Sequence, residues 1–242
     1  MNLEISERAK AAGNGERLVI RNWRAARESK DFVALAHVQR YEWVLPRLTG
    51  LKCLDAGCGS GYGAYHLAAN GASSVVGVDY SAAAIRFAKN GYRSDNLEYG
   101  IMDVRDLAAK DNSFDAVTSF DVMEHLSQKD QDGFVSEIAR VLHRNGHAYV
   151  GCPNASMVLG VNPFHLRELT KEEFESLLAR HFGNVQILGQ DILYASKRQF
   201  GDLRILGEIR DLNIGNFVIV ENRPDAAFGL LAVCENPVRD AL

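Results

Sequence analysis

Three aspartates close three successive apolar runs: Asp55 after residues 51–54, Asp79 after 74–78 and Asp103 just past 97–101. Between the first two lies LDAGCGSGYGA, with glycines at Gly57, Gly59, Gly61 and Gly63. Glycine permits positive φ and lets the backbone approach a ligand closely, while a helix start behind it offers unpaired N–H groups to an anion. An acid at the tip of the second strand can accept hydrogen bonds from both hydroxyls of a ribose. An acid past the third can take an exocyclic amine. Two histidines add a second chemistry. His125 follows Glu124 in an EHL turn, and His165 lies in NPFHLRELT. A histidine with a pKa near 6.5 suits removal of a proton from an acceptor hydroxyl, which makes both candidate general bases. Each has a plainer reading, His125 as a helix-start residue bonded to backbone and His165 as a loop residue bonded to Glu168 or a carbonyl. Glu124 and His125 alone are not a ligand set, so no metal is expected.

These residues need elements to position them. The spacing of Phe32, Leu35, Ala36 and Trp43 predicts an amphipathic helix stopping near Pro46, packed on the sheet edge or acting as a lid that carries Arg40 and Tyr41. Strands are expected at 51–54, 74–79, 97–101, 114–120 and 147–152, alternating with helices over 82–91 (Ser81 as cap) and 129–143. That alternation predicts a largely parallel sheet whose ligand lies beyond the carboxyl ends of its strands. Thr170 and Glu173 form a capping box before a helix over 171–181. Further strands are expected at 185–190 and 228–234, with an added edge strand near 216–221. The expected organisation is a helical extension or lid over 1–50 and a main domain over 51–242, with insertions at about 153–169 and 191–227.

Composition narrows the classes. The chain has 242 residues, 47% hydrophobic and 24% charged, as in an ordinary globular protein. A formal net charge of -4 gives no nucleic-acid footprint. Cys53, Cys58, Cys152 and Cys234 show neither zinc-type pairs nor a disulfide framework, which points to reduced thiols. The first 18 residues lack an apolar core and no run is long enough to span a bilayer, so a cytoplasmic location is expected.

The glycine loop could serve several nucleotides. Tyr62 spoils the GxGxxG register read from Gly57, while a register from Gly59 places the motif late, and no GxxxxGK[ST] lysine follows. Acids at three strand ends suit a ligand with a cationic centre, an ammonium, a ribose and an adenine amine. S-adenosylmethionine has all four and no phosphate.

LDAGCGSGYGA, VGVDYS, IMDVRDL and FDAVTSFDVMEHL, in this order, resemble the successive motifs of class I S-adenosylmethionine-dependent methyltransferases across about residues 51–152. The resemblance implies a Rossmann-like, doubly wound α/β fold: a seven-stranded sheet, mostly parallel with the last strand antiparallel, and helices on both faces. It implies that Asp55, Gly57 and Gly59 hold the methionine end of S-adenosyl-L-methionine. Asp79, with Tyr80 beside it, would take the ribose; Met102, Asp103 and Val104 the adenine; and Phe120 would line the methyl group. S-adenosyl-L-homocysteine would be the product. NPFHLRELT and HVQRY (37–41) further resemble small-molecule and glycan-modifying members, which places Arg40 and Tyr41 near the cofactor and His165 at an acceptor pocket. The expected partner is a small-molecule or saccharide acceptor, O-methylated in preference to N or C, with no nucleic acid or membrane. Oligomeric state is not legible. A NAD- or nucleotide-sugar-linked Rossmann oxidoreductase and a non-catalytic cofactor-binding module remain as alternatives, to be separated by cofactor binding.

Overall fold

The computed structural model describes residues 17–157, 162–194, 197–198, 212–222 and 224–238. Parts of the 1–50 extension and of both expected insertions therefore lie outside the described residues. The elements are α1 (Trp23–Arg27), α2 (Phe32–Val44), β1 (Lys52–Ala56), α3 (Tyr62–Ala69), β2 (Ser74–Asp79), α4 (Ala82–Gly91), β3 (Leu97–Ile101) and β4 (Phe114–Phe120). There follow α5 (Gln128–Val141), β5 (Leu142–Pro153), α6 (Lys171–Leu178), β6 (Phe182–Tyr194), β7 (Lys197–Arg198), β8 (Phe217–Val220) and β9 (Gly229–Pro237).

Among the described residues nine strands form the sheet, in the order β3-β2-β1-β4-β5-β9-β6-β7, with β8 also paired to β6. The first five run parallel, and β9 inserts antiparallel between β5 and β6. The mostly parallel α/β sheet with an antiparallel last strand is as the sequence predicts. The strand count differs from seven because β7 and β8 add short antiparallel pairings on β6.

Side-chain alternation explains why the sheet must be covered twice. Along β5, Ala148 and Val150 join one core while Tyr149 joins the other; along β9, Leu230, Ala232 and Cys234 alternate with Leu231. Neither face of the sheet can meet water, so helices bury both. One core takes Phe134 and Ile138 of α5 with Phe174 of α6; the other takes Val38 and Val44 of α2 with Leu67 of α3 and Ile85 of α4.

Helix starts follow their caps. Ser81 accepts from Ala84 N, Ser127 from Asp130 N, and the Thr170–Glu173 box makes both of its bonds. Ends are less faithful. α5 stops at Val141 rather than 143, because fully buried Leu142 already pairs with Phe114 and starts β5 ahead of Asn145-Gly146. Likewise α6 stops at Leu178, short of 181. No described helix is long and apolar enough to cross a membrane.

Candidate cofactor and acceptor site

The site lies at the carboxyl ends of β1, β2 and β4. Its floor is the glycine loop, and three of its glycines serve packing. A Cβ on Gly57 would stand 2.3 Å from Val122 Cγ2, one on Gly61 2.6 Å from Ala88, and one on Gly63 2.0 Å from the Tyr41 ring. Gly57 N–H and Cys58 N–H both donate to Val78 O at 2.8 Å, so these amides tie β1 to β2. Gly59 differs. Its φ is +54°, its missing Cβ faces only Arg17 Nη1 at 3.7 Å, and its N–H donates to Asp79 Oδ2 at 3.1 Å. Gly59 and Asp79 therefore form an open cradle in which a carboxylate stands beside bare backbone.

A side chain from the protein itself fills that cradle. Arg17 Nη1 lies 2.8 Å from Asp79 Oδ2, and the guanidinium stands 5.7 Å from the centre of the Tyr80 ring. The strap behind it is fixed by Ser60 Oγ donating to Leu18 O and Tyr92 OH donating to Ile20 O. The other Asp79 oxygen accepts from Ser81 N at 2.9 Å. Asp79 thus accepts a donor on its open side, and a carboxylate of this kind suits the hydroxyls of the ribose that the sequence implies.

Asp55 is deep rather than open. Its carboxyl accepts from Thr118 Oγ1 at 2.8 Å, from Tyr41 OH at 3.1 Å and 3.3 Å, and from the backbone of Ala64. Burial raises its pKa from 3.8 to about 6 despite these bonds, and the nearby Asp79 charge adds to the rise. Burial likewise drives the Tyr41 phenol well above its usual range, so it serves as a hydrogen-bond donor to Asp55.

Beyond the tip of β4 lies a network that the sequence reading missed. Phe120 packs edge-on against Tyr41, with ring centres 5.2 Å apart, and the next residue, Asp121, adopts φ +55°. A non-glycine residue in that region is strained and clusters at functional sites. Asp121 Oδ2 receives Arg40 Nη1 at 2.5 Å and His37 Nε2 at 2.8 Å. His37 Nδ1 meets Tyr62 OH at 2.6 Å, and Arg40 Nε donates to Gln190 at 2.6 Å. Asp121 Oδ1 is buried and has no hydrogen-bond partner among the described residues. The Arg40 and His37 charges hold the Asp121 carboxyl below its ordinary range against the cost of burial. Arg40 was expected near the cofactor, but Asp121 could have been suspected only as a charge beside a buried strand end, and nothing in their spacing pairs the two.

The remaining candidates fall in two groups. Met102 N donates to Asp79 O at 3.2 Å, which brings Met102 to the β2–β3 edge, and Val104 is buried in the core that includes Val78. Asp103 is half exposed and held by Arg105 at 2.6 Å and 2.9 Å, which lowers its pKa. His125 and His165 come together at the other end, with ring centres 5.1 Å apart. A cleft of about 680 Å³ lined by Trp43, Leu51, His147, Tyr149 and Glu235 opens at the opposite ends of the strands, away from all of these groups.

Comparison with known proteins bears on the family and the fold. A Methyltransferase domain profile matches residues 54–150. The Mycobacterium tuberculosis protein named "Probable S-adenosylmethionine-dependent methyltransferase Rv3030" is 36% identical over 183 residues, covering 74% of this chain and 65% of that one. The "Ubiquinone biosynthesis O-methyltransferase" of Xanthomonas oryzae pv. oryzae is 33% identical over 142 residues, 57% of this chain and 58% of that one. The chain thus spans less than two thirds of the length of either relative. In fold it resembles a solved S-adenosylmethionine-dependent methyltransferase of Thermotoga maritima, with TM-score 0.62 and 18% identity over 83% of this chain and 89% of that one. By the motif order and these matches, residues 54–150 are a methyltransferase domain, and the chain is similar to S-adenosylmethionine-dependent methyltransferases.

Proposed function

We propose that the protein transfers the methyl group of S-adenosylmethionine to a hydroxyl of a small-molecule or saccharide acceptor. The observation that carries this is the Asp79–Gly59 cradle, a carboxylate set 3.1 Å from a backbone N–H at a glycine with no Cβ contact but Arg17. The bound cofactor supplies a methyl carbon already activated by its sulfonium. The chain's own residues then bind and orient. Asp79 accepts from the ribose hydroxyls, with Tyr80 alongside, and Met102, Val104 and Asp103 flank the adenine. Gly57 and Gly59 border the methionine end, Asp55 lends it negative charge from beneath the loop, and Phe120 with Tyr41 walls the methyl position. Arg40 holds Asp121 at that wall. The described part of the 1–50 extension, which brings Arg17 and Tyr41 to this site, acts as its lid.

An acceptor hydroxyl must lose its proton, and His125 and His165 stand past β4 where that happens. Each has its Nδ1 committed, to Phe164 O and to Glu168 respectively, so each acts through Nε2. The O-methyltransferase name of one relative and the net charge of -4 favour a hydroxylated small molecule over nucleic acid. Four buried, free cysteines suit a reducing cytoplasm.

Calorimetry with S-adenosylhomocysteine and with NAD tests the cofactor, and mass spectrometry of a hydroxylated acceptor panel tests the transfer. Binding of NAD but not S-adenosylhomocysteine would overturn the proposal. His125→Ala and His165→Ala should lose turnover while keeping S-adenosylhomocysteine affinity.

A further inference from the structure

The turn after β4 and the NPFHLRE segment meet at a cluster that cofactor binding does not use. One ligand atom each from Glu124, His125 and His165 lies within 4.8 Å of the other two. The backbone holds these residues together: Glu124 O accepts from Leu166 N at 2.8 Å and from Arg167 N at 3.1 Å. Glu124 is buried, and its charge acts on Arg40 together with that of Asp121, which places the cluster beside the wall of the methyl position.

The outer hydrogen bonds set the chemistry of the rings. His125 Nδ1 lies 3.0 Å from Phe164 O, and His165 Nδ1 lies 2.5 Å from Glu168 Oε1. A carbonyl and a carboxylate only accept, so both Nδ1 atoms carry protons, and in the neutral ring that tautomer offers Nε2 as the ligand atom. A histidine that ligates a metal is oriented in this way, donating its other N–H to a carbonyl or carboxylate. Asn162 Nδ2 stands 2.9 Å from His165 Nε2 and holds that lone pair until an ion takes it. The sequence offered only the adjacent pair Glu124–His125; the fold supplies the third ligand from a distant loop.

We infer that Glu124, His125 and His165 bind one divalent transition-metal ion, of the zinc, manganese or iron(II) class, at the acceptor end of the site. Two imidazoles and one carboxylate are a donor set for these ions and leave positions open for acceptor oxygens. The inference rests on the proposed methyl transfer and takes the place of direct proton abstraction by the histidines, which with the ion bound serve as its ligands. The ion takes the acceptor hydroxyl as a ligand and lowers its pKa, and the proton leaves to solvent. The oxygen forms its bond to the methyl carbon as the carbon–sulfur bond breaks, and that electron pair stays on sulfur.

Equilibrium dialysis of the chain against zinc alone and manganese alone tests this, with S-adenosylhomocysteine binding measured in parallel. The expected result is one ion per chain, bound about tenfold or more weakly by His165→Ala and by Glu124→Gln, with S-adenosylhomocysteine affinity kept. Zinc-edge X-ray absorption of the wild-type protein does not depend on how the variants fold. A shell containing two imidazoles and no sulfur supports the site. A wild-type chain that binds no ion, a sulfur-containing shell, or ion binding unchanged in both variants overturns it. A chain that binds the ion but not S-adenosylhomocysteine supports the site and removes the methyl-transfer reading; one that binds S-adenosylhomocysteine but no ion does the reverse.

Discussion

Arg17 Nη1 stands 2.8 Å from Asp79 Oδ2, on the carboxylate proposed to take the ribose. Cofactor binding must therefore displace the guanidinium or share the acid with it. A partly screened ion pair of this kind contributes about 1 kcal/mol, equivalent to roughly fivefold in affinity. Arg17→Ala should tighten S-adenosylhomocysteine binding by about that factor in calorimetry, and Asp79→Ala should weaken it about tenfold or more. Unchanged affinity in Arg17→Ala would mean that the strap does not compete.

The Asp55 carboxyl, titrating at about 6, makes cofactor affinity depend on pH. Below that pH it is neutral and offers no charge to the methionine ammonium. S-adenosylhomocysteine should therefore bind more weakly as the pH falls from 8 to 5, with the change centred near 6. Asp55→Asn should flatten this dependence.

The same shift has a stability counterpart of defined sign. A carboxyl raised in the folded state favours folding at low pH, and that contribution is lost as the pH rises through about 6. Above that pH, keeping Asp55 ionised in its buried site costs on the order of 3 kcal/mol. In urea unfolding without cofactor, Asp55→Asn should be more stable than the wild type at pH 8 and lose that advantage near pH 4.

Gly63 tests the contact between α2 and the loop. A Cβ there would sit 2.0 Å from Tyr41 Cζ, inside a packed core. Gly63→Ala should destabilise the protein by about 1–3 kcal/mol. Combining it with Tyr41→Ala should cost less than the sum of the two, because the clash disappears with the ring.

Arg40, which is buried, and Asp121, which is partly buried, form a pair between α2 and the tip of β4. Removing the guanidinium leaves a partly buried carboxylate whose remaining side-chain partner among the described residues is His37. Arg40→Met should cost about 3 kcal/mol in chemical unfolding, and adding Asp121→Asn should recover part of it. Additive costs would show that the pair is not coupled.

The sequence by itself determined the main order of strands and helices and put acids and glycines at the strand ends of the proposed cofactor site. Alternating apolar positions specify a sheet covered on both faces, side-chain caps at Ser81, Ser127 and Thr170 specify helix starts, and Asp55 and Asp79 fall at strand ends by local spacing. Helix ends were less legible, because tertiary pairing of Leu142 with Phe114 overrides the Asn145-Gly146 stop signal. Only the tertiary structure decided that Asp55 lies beneath the loop rather than facing open space. It also decided that Arg17 lies on Asp79, that Arg40 and His37 converge on Asp121, and that His165 joins Glu124 and His125. The physical reason is the range of the interaction. Periodicity, capping and glycine turns act over a few residues and are written locally, whereas buried charge pairs and ligand clusters unite residues that only the packing of the sheet and its crossing loops brings within a few ångströms.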